Sequence, residues 1–118
     1  MHIEEFREYC LAKPGVTEET PFGPDTLVFK VGGKIFALTD INTFESINLK
    51  CDPEKAVELR EQYEAIKPGY HMNKKHWNTV FLRSEIKDSL LKVLIDNSYY
   101  LVYQSLTRTQ KREIVASN

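Results

Sequence analysis

The segment from Thr26 to Thr39 restricts the fold more than any other. Leu27, Phe29 and Val31 occupy alternate positions, Gly32-Gly33 follows, and Lys34-Ile35-Phe36-Ala37-Leu38-Thr39 resumes the apolar pattern. A two-residue hairpin turn that matches the twist of its strands needs positive φ at both positions, which glycine supplies without strain. The segment therefore predicts an antiparallel hairpin. After a turn at Asp40-Ile41-Asn42-Thr43, the run Phe44 to Cys51 alternates again and extends the hairpin to a three-stranded meander. Side chains change face at every residue of a strand. Ile47, Leu49 and Cys51 should face the core, and Ser46, Asn48 and Lys50 should face away.

Such a sheet needs a cover for its apolar face, and helical spacing supplies it on both sides of the meander. From His2 to Lys13, Ile3, Phe6, Cys10 and Leu11 recur three and four apart, with Glu4, Glu5 and Glu8 in the early turns and Pro14-Gly15 as the stop. Residues 15–25, GVTEETPFGPD, read as a loop in which Phe22 packs on the domain. Asp52 caps a helix with Pro53 in its first turn, and Ala56, Leu59 and Tyr63 mark its buried face to about Glu64. Short strands are expected over Ile66 to Tyr70 and Asn78 to Leu82. Ser84 then caps a helix carrying Ile86, Leu90, Val93 and Leu94. Asp96-Asn97-Ser98 breaks that helix and starts a last one with Tyr99, Val102 and Leu106 on one side, leaving 107–118 as a polar, frayed tail. The order α-β-β-β-α-β-β-α(α) defines an α+β domain spanning 1–118, with two layers and its helices on one face of an antiparallel sheet.

With 118 residues, 42% of them hydrophobic, the chain can bury a core without staples. Cys10 and Cys51 form no CxxC pair and no Cys/His ligand set, so they read as buried free thiols of a reducing compartment. The acidic, amphipathic start lacks the pattern of a signal peptide, and no run approaches the length of a membrane span. These features predict a cytoplasmic monomer. The net charge of −1 argues against an obligate, strongly basic nucleic-acid binder, although it is unevenly distributed. Residues 1–66 hold seven Lys/Arg against thirteen Asp/Glu, and 67–118 hold nine against four.

Residues 69–82, GYHMNKKHWNTVFL, are the chemically densest stretch, with two of the three histidines, the only tryptophan and no acid. No nucleophile in the chain has a recognisable base and orienter, and no GxSxG, HExxH or phosphate-cradling glycine loop occurs, so no catalytic residue, cofactor or metal ligand is expected. His71 and His76 are five apart, a poor spacing for a shared ligand on a helix, and a hydrogen-bonding role outweighs a metal site. Binding is better supported. Lys74, Lys75 and Arg83 flank His76 and Trp77, and Lys67 lies just upstream. Lysine and arginine neutralise phosphates, and Trp77 or Tyr70 offers a ring for stacking. Arg108, Lys111 and Arg112 form a second basic cluster. The structural alternative is a mostly buried Trp77 at the core or its rim that anchors the tract, with Lys74 and Lys75 in a solvated turn and Tyr70 packed on the sheet.

The tract Tyr70-His71-Met72-Asn73-Lys74-Lys75-His76-Trp77-Asn78 resembles that of the MmcQ/YjbR family of small bacterial proteins. Pro14-Gly15-Val16-Thr17-Glu18, Phe22-Gly23 and Asp96-Asn97-Ser98-Tyr99 extend the match over nearly the whole chain. Thr107-Arg108-Thr109 departs from the pattern, because relatives often carry a proline-led basic tail there. The resemblance implies a compact α+β domain like those of secretion chaperones and frataxin-like proteins, together with DNA binding. The expected function is thus weak, non-enzymatic nucleic-acid binding through Lys67, Tyr70, Lys74, Lys75, His76, Trp77, Arg83, Arg108, Lys111 and Arg112. Two alternatives remain. One is a protein-interaction module that receives a partner on its sheet or aromatic tract. The other is a small-ligand domain using His71, Asn73 and His76.

Overall fold

The computed structural model describes residues 1–117. Six strands form one antiparallel sheet in the order β1-β2-β3-β4-β6-β5: β1 (Val16–Glu19), β2 (Thr26–Val31), β3 (Lys34–Asp40), β4 (Ser46–Lys50), β5 (Ile66–Pro68) and β6 (Trp77–Phe81). Four helices complete the α+β fold: α1 (Ile3–Leu11), α2 (Pro53–Gln62), α3 (Asp88–Gln104) and α4 (Arg108–Ser117). The β2–β3 turn is closed by Gly32 and Gly33 at φ 58° and 79°, the positive values the hairpin requires. An irregularity after Phe29 leaves Phe36 as an extra residue in β3, so that Phe36 and Ala37 are both buried although adjacent.

One face of the sheet makes the core. Leu27 and Phe29 of β2, Ile47 and Leu49 of β4, Val80 of β6 and Ile66 of β5 pack with Phe6 and Cys10 of α1, Leu59 of α2, and Leu91, Ile95 and Val102 of α3. The register in β4 is the expected one: Ile47 and Leu49 are buried, Cys51 packs partly on the core, and Ser46, Asn48 and Lys50 project from the other face. Among the described residues, the helices pack on the core side, and none is in the row of paired positions that crosses the other face, Val28–Leu38–Asn48–Thr79–Lys67.

Several local expectations are corrected. Residues 15–25 are not all loop, because Val16–Glu19 pairs with β2 as an edge strand. The four-residue strand is hidden between Gly15 and the breakers at 21–24. It is tied to α1 by a bidentate ion pair, with Arg7 Nε 2.5 Å from Glu18 Oε2, and the guanidinium holds the Glu18 carboxyl below its usual pKa. Phe22 does not pack on the domain; it is 66% exposed. Ser84 caps nothing, since α3 begins at Asp88 after Lys87. Nor do Asp96, Asn97 and Ser98 break it. The buried Ser98 hydroxyl donates to Phe36 O at 2.5 Å and accepts from Lys50 N at 2.8 Å, and Asp96 accepts from Tyr9 and Lys13. These tertiary bonds override the weak helix propensity of the three residues. The buried stripe accordingly runs through Leu91, Leu94, Ile95, Ser98 and Val102, and Val93 is exposed.

The expected frayed tail is the helix α4. Thr107 and Gln110 cap its start reciprocally. Ile114 is buried against Gly15, whose backbone, at φ 71°, leaves no room for a side chain: a Cβ there would lie 2.8 Å from Ile114 Cγ1. Leu106, in the link before α4, covers Gly32 in the same way, at 2.6 Å. Asn118 lies outside the described residues. Ile114→Ala should therefore lower the unfolding free energy by about 2–4 kcal/mol in a denaturant titration, as truncation of a buried isoleucine does. A frayed tail would show no change.

Candidate functional site

The 69–76 segment is held from both faces of the sheet. On the helix face, the buried Asn78 of β6 accepts a hydrogen bond from Arg60 Nε of α2 at 2.6 Å. Arg60 Nη2 donates to Trp77 O at 3.2 Å and to Lys74 O. One guanidinium thus fixes the start of β6 and the end of the loop that precedes it. On the open face, Thr79 donates its hydroxyl to Asn48 Oδ1 at 2.6 Å and accepts the Tyr70 amide at 2.9 Å, while Asn48 Nδ2 reaches Tyr70 O at 3.4 Å. Within the loop, Asn73 Oδ1 accepts the amides of Lys75 and His76. Gly69 lies against Trp77, where a Cβ would sit 2.7 Å from the tryptophan Cβ.

The result is a groove of about 480 Å³ on the open face. Leu38, Asn48, Ser46 and Thr26 form its floor, Tyr70, His71 and Met72 one wall, and Phe22 and Asp40 the other side. Tyr70 is 69% exposed, and the His71 ring leans on it at 4.1 Å between centroids. His71 has φ 59°, a left-handed conformation uncommon outside glycine and asparagine, and the bonded loop on either side sustains it. Asp40 Oδ1 accepts the amides of Asn42 and Thr43 at 2.8 and 3.0 Å.

The structure brings only some of the sequence-predicted residues together. Tyr70 lines the groove, and Lys67 lies on the same open face, at the far strand. Trp77 is half-buried on that face, paired with Lys50, and His76 is half-buried with its carbonyl bound by Cys51 N. Lys74 and Lys75 are exposed at the start of β6, and Lys75 borders a shallow depression with Glu54 and Glu58 of α2. Arg83 is beyond the other end of β6, its guanidinium 5.2 Å from the Phe81 ring. The strand between them is about 13 Å long at ~3.3 Å per residue. Arg108, Lys111 and Arg112 belong to α4, beside Gly15 and Gly32 at the opposite side of the sheet, with Lys111 over the Tyr103 ring. Sequence reasoning missed Phe22, Asp40, Asn48, Arg60 and Thr79. The period-2 pattern already put Asn48 on the open face, but nothing in the sequence joined it to Tyr70.

Fold and site together define a small α+β domain with one helix-covered sheet face and one open face that carries a preformed groove. The chain belongs to the YjbR family, whose model matches residues 11–101. It is 47% identical to YbdF of Escherichia coli O157:H7 over 92% of this chain and 91% of that protein. It is 33% identical to YjbR of Escherichia coli K12 over 98% of each. Among solved structures it superposes on Deinococcus radiodurans protein DR2400, a DUF419 domain, with TM-score 0.89 and 40% identity over 95% of this chain and 86% of that one. A Pseudomonas syringae protein gives TM-score 0.74 at 32% identity, covering 86% of this chain and 99% of that one.

The Arg60 clamp carries a measurable load. Arg60→Met keeps the aliphatic stem but leaves the Asn78 acceptor buried and unpaired. It should cost about 1–3 kcal/mol, the range for orphaning a buried polar group. An unchanged denaturation midpoint would show that the clamp is not made in solution.

Proposed function

We propose that this protein is a non-catalytic ligand-binding domain whose binding site is the groove on the open sheet face. One observation carries the reading: two large rings, Phe22 at 66% and Tyr70 at 69% exposure, stand at the rim of one concavity. Leaving such rings in water forgoes roughly 1.5–3 kcal/mol each, and a ligand seated between the loops would recover part of it. The volume lies within the ~300–1,000 Å³ range of small-molecule sites. Binding rather than chemistry is favoured because the hydroxyl and amide of Thr79 and Asn48 are engaged with each other and with the Tyr70 backbone. They position a wall and activate no nucleophile.

The reading is tested by amide chemical-shift mapping with neutral aromatic fragments such as phenol and indole. The expected perturbations gather at Leu38, Asn48, Tyr70, His71 and Met72. Perturbations confined to the helix side, or none at millimolar fragment, would overturn it. Phe22→Ala and Tyr70→Ala should abolish the response at little cost in stability, because both rings are exposed.

Nucleic-acid binding is a second reading. It is favoured by the exposed Tyr70 ring on the same loop as Lys74 and Lys75, with Lys67 on the same sheet face. It needs those three lysines to meet phosphates without Arg83, and Lys75 to do so beside two glutamates. Fluorescence anisotropy with labelled single-stranded and duplex DNA and RNA separates the readings. Each phosphate contact adds about −0.7 to −0.9 to the logarithmic salt slope. If the second reading holds, Lys74→Glu/Lys75→Glu flattens that slope by about one to two units. No binding of the wild type at low salt eliminates it.

A further inference from the structure

We propose that the groove selects a small organic cation: an ammonium or guanidinium group on a compact apolar body. This rests on the groove reading above and adds the charge of the ligand. Among the residues that line the groove, Asp40 is the only carboxylate, and neither lysine nor arginine is present. No ion pair is formed by Asp40 among the described residues. Its orientation is nonetheless fixed, because Oδ1 of this exposed side chain accepts the amides of Asn42 and Thr43; among the described residues Oδ2 accepts nothing. A held carboxylate oxygen without a cation is an acceptor prepared for a charged donor.

The walls agree with that charge. Phe22 and Tyr70 line the groove with aromatic rings, whose faces carry negative potential and attract cations, ammonium and guanidinium groups above all. Met72 adds a polarisable thioether on the same wall as Tyr70. Leu38 on the floor suits an apolar body. An anionic ligand would meet a carboxylate and ring faces with no compensating lysine or arginine, so phosphorylated compounds are disfavoured here. Electrostatics and shape thus converge on one ligand chemistry, which the basic residues of the 69–82 tract do not anticipate.

The experiment uses the full chain and three probes of one size: benzylammonium, benzyl alcohol and benzoate, titrated by amide chemical shift at constant ionic strength. Benzylammonium should bind in the groove about tenfold more tightly than benzyl alcohol, the scale of one partly exposed carboxylate and ring contact, and benzoate should bind most weakly. Asp40→Asn keeps the acceptor for the Asn42 and Thr43 amides. It should remove the carboxylate's share of the preference for the cation, leaving only the smaller share due to the rings, while benzyl alcohol binds as before. Equal affinity of the three probes in the groove overturns the charge selection and leaves the groove reading standing. No perturbation of the groove by any of them overturns both. The capped peptide acetyl-Ala-Lys-Ala-amide, compared with butylammonium, tests the source of the cation. A peptide that binds tenfold more tightly makes the ligand a partner's side chain and overturns the small-molecule claim; equal binding supports it.

Discussion

The Arg60 guanidinium is the interaction on which the rest of the open face depends. From α2 it joins three acceptors: Asn78 Oδ1, Trp77 O and Lys74 O. Asn78 lies within the helix-side core, where an amide without partners would cost free energy; its Nδ2 finds Ala56 O at 3.5 Å and its Oδ1 finds Arg60. Satisfying this one side chain fixes where β6 begins. Thr79 is next in line on the opposite face, and its hydroxyl receives Tyr70 from the loop. A buried hydrogen-bond requirement on one face of the sheet therefore sets the position of an exposed ring on the other.

That arrangement gives the 69–82 tract a different meaning from the one its composition suggests. Asn73, Asn78 and Gly69 shape the loop; Trp77 and His76 are half-buried supports; the lysines are exposed outside the groove. The residues with free binding capacity are Tyr70 and His71, together with Phe22 and Asp40 from elsewhere in the chain. A dense polar tract can thus build a site without filling it.

Much of the architecture was legible because it rests on local rules. The Gly32-Gly33 turn, the alternation through Ile47 and Leu49, and the Asp52-Pro53 helix start each depend on a few adjacent residues. What escaped depends on contacts distant in sequence. Ser98 continues a helix because Phe36 and Lys50 bond its hydroxyl. The polar α4 is anchored by Ile114 against a glycine about a hundred residues away. Edge strand β1 is too short to outweigh the glycines and prolines around it. The groove escaped for the same reason: its two walls come from loops near residues 22 and 70, and their meeting follows from the order β2-β3-β4-β6, which no spacing encodes.

The central claim is that the groove exists before any ligand arrives, because hydrogen bonds rather than a partner hold its 69–76 wall. Amide hydrogen exchange of Gly69 and Tyr70 in the ligand-free protein tests this most directly, since their N–H groups donate to Trp77 O at 2.8 Å and Thr79 Oγ1 at 2.9 Å. The account predicts that both exchange far more slowly than an unstructured chain, with protection approaching that of the β4–β6 ladder. Exchange of the Tyr70 amide at the unstructured rate would contradict it, because the wall would then be formed only on binding, if at all.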